Sequence, residues 1–180
     1  MTRGRLVTYC YVTKRSHDHQ RGFNAMAKNG SSFSYETYIR ASADDVWRAI
    51  TDGSQTVQYF YGSPVRSNLK KGGDFLYLTA DGKDRMAEAT IFAIEPKRRL
   101  VLDQYRLLYA PAVAEDRPSR EAWEVTPVGE ICKVVVVHDK LTPNGPTYKD
   151  VASGLPLIVS SMKSLLETGQ ALPMQTDSTN

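Results

Sequence analysis

Between Ser34 and Arg40 the side chains alternate, with Tyr35, Thr37 and Ile39 on one side and Ser34, Glu36, Tyr38 and Arg40 on the other. A period of two predicts a strand. The period then lengthens: Ser42 is placed to cap a helix, Asp45 follows three residues later, and Val46, Trp47, Ala49 and Ile50 supply a buried face. Asp44 and Asp45 fall in the first turn, where carboxylates complement the positive end of the helix dipole, so their role is structural. Asp52-Gly53 closes this helix, and a second short helical piece is expected over Thr56 to Tyr61. Five strand-like runs follow, at Phe75 to Thr79, Ala87 to Ile94, Leu100 to Leu107, Glu121 to Thr126 and Cys132 to Asp139. Between them lie the turn signals Asp81-Gly82-Lys83, Glu95-Pro96-Lys97 and Pro127-Val128-Gly129-Glu130, with Lys71-Gly72-Gly73 ahead of the first run, and the spacing predicts a meander. In the last segment Leu155, Ile158, Val159, Met162, Leu165 and Leu166 recur every three or four residues, which marks the buried face of a helix from Gly154 to Thr168. That helix is about 22 Å long at about 1.5 Å per residue. A start near Ser153 puts Pro156 in the first turn, where no N–H is missed, and Gly169 is placed to end it.

The order of elements predicts an α+β domain in which an antiparallel sheet curls around the one long apolar helix, with two short helices after the first strand. A curved sheet and a single helix leave space between them, so an internal cavity is expected. With 180 residues and 41% hydrophobic content, the chain suits one domain with a sizeable core. The domain is expected over residues 31–172, after an N-terminal arm over 1–30 and before a frayed polar tail over 173–180. Met26-Ala27-Lys28 reads as a second natural start. The short apolar run from Leu6 to Val12 meets only the lower limit for a signal peptide, with no clear cleavage site after it. His17-Asp18-His19 reads as surface histidines rather than a metal site.

The net charge of +3 first suggests nucleic acid, yet residues 1–28 hold six basic side chains against one acidic. The remainder carries 17 basic and 19 acidic groups, so the domain has no basic excess and no nucleic-acid partner is expected. No apolar run approaches the roughly 18 to 20 residues of a membrane span. Cys10 and Cys132 stand far apart in unlike settings, which argues against a disulfide framework and for a cytoplasmic location.

Alternation places Trp123 with Val125 on one strand face, and Val134, Val136 and His138 together on another. His138 then points at one end of the cavity, where it is able to exchange a hydrogen bond or a proton with a ligand. Phe75, Tyr77, Phe92, Tyr105 and Trp123 from the strands, with Leu155, Val159 and Met162 from the helix, form the expected ligand-binding wall. The hydroxyls of Tyr59, Tyr61, Tyr77 and Tyr105 are its polar points. Most of the strand carboxylates Glu88, Asp103, Glu121 and Glu124 are assigned to the solvent face, and no catalytic pair is expected. There is no phosphate-binding glycine loop, no Cys-x-x-Cys, no His-Glu-x-x-His and no Gly-x-Ser-x-Gly, so no cofactor and no metal are expected either.

The stretch Ile39-Arg40-Ala41-Ser42-Ala43-Asp44-Asp45-Val46-Trp47-Arg48-Ala49-Ile50-Thr51-Asp52 resembles the opening signature of the SRPBCC or START-like superfamily, in the branch named for the activator of heat-shock protein 90 ATPase. Lys71-Gly72-Gly73, Ala93-Ile94-Glu95-Pro96-Lys97-Arg98-Arg99-Leu100 and Ser160-Ser161-Met162-Lys163-Ser164-Leu165-Leu166-Glu167-Thr168-Gly169 are similar to its later motifs, and the resemblance covers residues 34–170. It implies the helix-grip fold and an internal ligand pocket. Such domains include lipid binders, cyclases, stress-related proteins and co-chaperones. Where the family often has a tryptophan near the start of the last helix, this chain has Leu155 after Gly154, and its aromatic cluster reads Tyr59-Phe60-Tyr61-Gly62.

The leading expectation is a binder of a hydrophobic, lipid-like or aromatic small molecule. The alternatives are a cyclase- or hydrolase-type enzyme using the same pocket, or a partner of the chaperone ATPase. Contact between His138 and a buried carboxylate is the feature that would favour the enzyme. An exposed edge strand offers pairing across a two-fold axis, as in a homodimer.

Overall fold

Ser42 caps a helix as its position predicts: in the computed structural model, which describes residues 30–174, its hydroxyl oxygen accepts the amide N–H of Asp45 at 3.1 Å. The strand β1 (Ser31–Ile39) thus runs into helix α1 (Ala43–Thr51), with Asp44 and Asp45 in the first turn. Asp52 ends α1 by donating its backbone N–H to the Arg48 carbonyl, and starts α2 (Gly53–Tyr59) by accepting the Ser54 N–H on its side chain. That double cap sets α2 three residues ahead of the expected Thr56 start.

The meander follows as β2 (Val65–Ser67), β3 (Asp74–Leu78), β4 (Arg85–Glu95), β5 (Arg99–Leu107), β6 (Ser119–Val128) and β7 (Ile131–Leu141). With β1 they make one seven-stranded antiparallel sheet in the order β1-β7-β6-β5-β4-β3-β2. Each expected strand is present, and the structure adds β2 and a one-turn helix α3 (Pro111–Ala114), both too short to show a period. The bends lie at irregularities of pairing. Between Leu102 and Tyr105, β5 uses one residue more than β6 does between Glu121 and Ser119, and Gln104 takes φ 54° there. Such a bulge reverses which face the following residue occupies. Tyr105 therefore joins Leu100 and Leu102 inside the sheet.

The last helix, α4 (Pro146–Thr168), begins two turns before the expected Gly154. Pro146 stands in its first turn with φ already set for a helix, and Thr147 and Val151 extend the buried stripe upstream. Pro156 consequently lies well inside the helix, where it has no N–H to give the Ala152 carbonyl. Gly169 closes α4 at φ 77°, the left-handed position that glycine adopts without strain.

The core fills the concave side of the sheet, from Ile39, Val134 and Val136 across to Phe75 and Ile91, beneath α1 and α4. No described helix is long and apolar enough to cross a membrane. The arm, the run from Leu6 to Val12, His17-Asp18-His19 and the tail beyond residue 174 lie outside the described residues.

Candidate functional site

Small side chains open a space where sheet and helix face each other. Ala87 and Ala89 stand on the inner face of β4, and opposite them Gly154 interrupts the apolar stripe of α4. A Cβ at Gly154 would meet no atom within 4 Å. The result is a cavity of about 620 Å³, bordered by both Ala87 and Gly154. Its size lies within the range of small-molecule sites. Phe60, Tyr61, Tyr77, Tyr105, Tyr109 and Trp123 give it an aromatic wall, and Leu107, Val151, Leu155 and Ile158 an aliphatic one.

Its floor is polar. Glu121 and His138 are direct partners across β6 and β7 and both point inward, 5% and 1% exposed. One carboxylate oxygen of Glu121, Oε1, accepts the indole N–H of Trp123 at 2.7 Å and the hydroxyl of Tyr77 at 3.3 Å. The other, Oε2, stands 3.6 Å from Nδ1 of His138, past hydrogen-bond range. Nδ1 has no hydrogen-bond partner. On its far side His138 Nε2 shares a 2.7 Å hydrogen bond with Ser119 Oγ, and the ring meets Tyr105 edge to face at 4.8 Å. The imidazole is thereby fixed in orientation beside the Glu121 carboxylate.

At the outer end Tyr109 donates its hydroxyl to the carboxylate of Asp150 on α4, and Tyr61 lies nearby. Burial lifts the hydroxyl pKa of Tyr77 and Tyr105 well above the ordinary tyrosine value, and the charge of Glu121 adds to it. Tyr61 and Tyr109 are raised as well, first by burial and then by Asp150. At neutral pH these four hydroxyls stay protonated and able to donate.

Of the residues expected at the wall, Tyr61, Tyr77, Tyr105, Trp123, His138 and Leu155 border the cavity. Five do not. Phe92 points away from it and is 55% exposed, because β4 turns Ala87, Ala89 and Ile91 inward and Phe92 has the opposite parity. Tyr59 is buried under α1, where its hydroxyl donates to the Ala49 carbonyl at 2.8 Å. Phe75, Val159 and Met162 are fully enclosed in the core behind the wall. The assignment of most strand carboxylates to solvent fails for Glu121, whose separation of two and four residues from Trp123 and Val125 places it on their inner face. That spacing was the signal for it. Asp150 and Tyr109, 41 residues apart, meet only through the fold. Among the described residues no cluster of three metal-ligating side chains occurs.

Residues 40–167 match the family model described as "Activator of Hsp90 ATPase homolog 1-like protein". No curated protein sequence matches the chain. Among solved structures, CalU16 from Micromonospora echinospora superposes with a TM-score of 0.58 at 20% identity, covering 72% of this chain and 72% of that one. An HSP90 activator from Plasmodium falciparum gives 0.59 at 18% identity over 76% and 96% of the two chains. The Aha1 dimer from Colwellia psychrerythraea, solved in solution, gives 0.63 at 11% identity over 78% and 99%. These likenesses show a common fold, the helix grip of a curved antiparallel sheet and a long terminal helix, and with a family match across most of the domain the chain belongs to the activator of Hsp90 ATPase homolog 1-like family of the SRPBCC, or START-like, superfamily.

Proposed function

We propose that this protein binds a small molecule with an apolar, ring-bearing body in the cavity between the sheet and α4. The observation that carries the reading is the cavity of about 620 Å³ with an aromatic wall and a fixed polar floor. A largely apolar enclosure with few convergent polar groups is the usual make-up of a ligand site. The unpaired buried thiol of Cys132 suits a reducing compartment such as the cytoplasm.

The test is calorimetric titration with a neutral bicyclic probe, naphthalene or 2-naphthylmethanol, alongside Gly154→Trp. One saturable site is expected, with quenching of Trp123 fluorescence. The tryptophan at position 154 should fill the cavity and remove binding while the far-ultraviolet circular dichroism stays native. Absence of saturable binding, or binding untouched by a well-folded Gly154→Trp protein, would sink the reading.

One observation favours a second reading, proton transfer on a bound substrate. His138 borders the cavity, oriented by Ser119 and with Nδ1 3.6 Å from the buried carboxylate of Glu121, a pairing from which a general base could be drawn. Turnover of polyketide-like substrates that disappears in His138→Ala, with binding retained, would support it. No turnover across such a panel would remove it.

A further inference from the structure

We propose that the cavity selects a cation, a protonated amine carried on an apolar or aromatic body, whose N–H groups are received by Glu121. This rests on the reading of the cavity as a binding site and names the chemistry that it takes.

The first argument is the distribution of charge. Among the described residues two carboxylates border the cavity, Glu121 at the floor and Asp150 at the outer end, and no lysine or arginine does. Basic side chains are not scarce on the same strands. Arg120 holds Asp139 through two hydrogen bonds of 2.8 and 2.6 Å, and Lys140 reaches Asp103 at 2.7 Å. Glu121, more buried than any carboxylate in those pairs, is held only by the neutral donors of Trp123 and Tyr77. A carboxylate taken out of water without a counter-ion is costly, and the deficit is met by a ligand that brings the opposite charge.

The second argument is the unfilled oxygen of the floor. Oε1 of Glu121 takes the protons of Trp123 and Tyr77, and its second oxygen, Oε2, receives neither. His138 Nδ1 stands 3.6 Å from Oε2, past hydrogen-bond range, and leaves that oxygen without a close donor. An ammonium group placed against Oε2 supplies both a donor and the missing charge. The tyrosines register the same field, since the carboxylates raise the hydroxyl pKa of Tyr77, Tyr105, Tyr61 and Tyr109 beyond what burial does. Aromatic walls add attraction for a cation. A fatty acid or other carboxylate would instead bring like charge to Glu121.

The experiment titrates the full chain at pH 7 with three probes of one shape: 2-naphthylmethylamine, 2-naphthylmethanol and 2-naphthoate. The amine should bind about ten-fold or more tighter than the alcohol, and the naphthoate more weakly than either. Glu121→Gln keeps an oxygen for Trp123 and Tyr77 but loses the charge. It should weaken the amine about ten-fold and leave the alcohol within about three-fold. The ranking on the unaltered protein decides the matter even if that variant does not fold. Equal binding of amine and alcohol, tightest binding of naphthoate, or equal weakening of amine and alcohol by Glu121→Gln overturns charge selection alone. Binding of none of the three overturns the cavity reading, and this one with it.

Discussion

Tyr59, Tyr77 and Tyr105 keep their hydroxyls in dry surroundings, and in each case burial is the first cause that raises the pKa above 10.0, with Glu121 next. Below pH 10 the folded and unfolded chains both hold these protons, and the contribution to stability is fully present. As pH climbs past 10 the unfolded chain releases them first, so stability falls through that range. Absorbance at 295 nm should therefore show these tyrosines ionising only together with the loss of circular dichroism, and the urea midpoint should drop between pH 9.5 and about 11. A smooth titration of every tyrosine near 10 in a still-folded protein would contradict the burial described. The residue scale is also where legibility in the sequence was most uneven. His138 follows from its alternation with Val134 and Val136, and Glu121 from Trp123 by the same rule, although the general tendency of carboxylates to face water hid it. Tyr105 was expected at the wall as one of the strand aromatics, yet strict alternation with Leu100 and Leu102 would turn it outward, and only the bulge at Gln104 brings it in.

At the scale of elements the strands and α1 were readable because each is regular and capped by residues of the expected kind. The start of α4 was not, since Tyr148, Lys149 and Asp150 interrupt its stripe just where it begins. Gly154 lies inside this helix with open space beside it, which separates two effects of substitution. Gly154→Ala should raise stability by about 0.5 to 1 kcal/mol, because alanine restricts the unfolded chain and favours the helix while its methyl meets nothing. Probe binding should persist in that protein and vanish in Gly154→Trp, which chemical denaturation and calorimetry check together. Gly53 behaves oppositely. A Cβ there would stand 2.5 Å from the Val65 carbonyl oxygen, so Gly53→Ala should destabilise by about 1 to 3 kcal/mol, read as a lower urea midpoint.

On the scale of the whole molecule, the cavity lies between the sheet and the helix that covers it, so ligand and fold are thermodynamically linked. A ligand at one hundred times its Kd should add about 2.7 kcal/mol to stability if it binds only the folded chain. For a domain of this size that corresponds to about 5 to 10 °C in Tm, which differential scanning calorimetry with the tightest probe would test. The overall architecture was legible from the order of elements. The polar floor was not, because it joins Tyr77 of β3 to Glu121 of β6, strands separated by two others in the sheet.

The pairing of the first strand with the last has a consequence in time. Ser34 lies opposite Val137, so during synthesis β1 leaves the ribosome about 100 residues before β7, its only neighbour among the described strands, exists. At about 5 to 20 residues per second that is a wait of roughly 5 to 20 s with both edges of an alternating strand unsatisfied. Closing so long a loop is slow, and the nascent chain should depend on chaperone shelter until β7 emerges, whatever the finished protein goes on to bind.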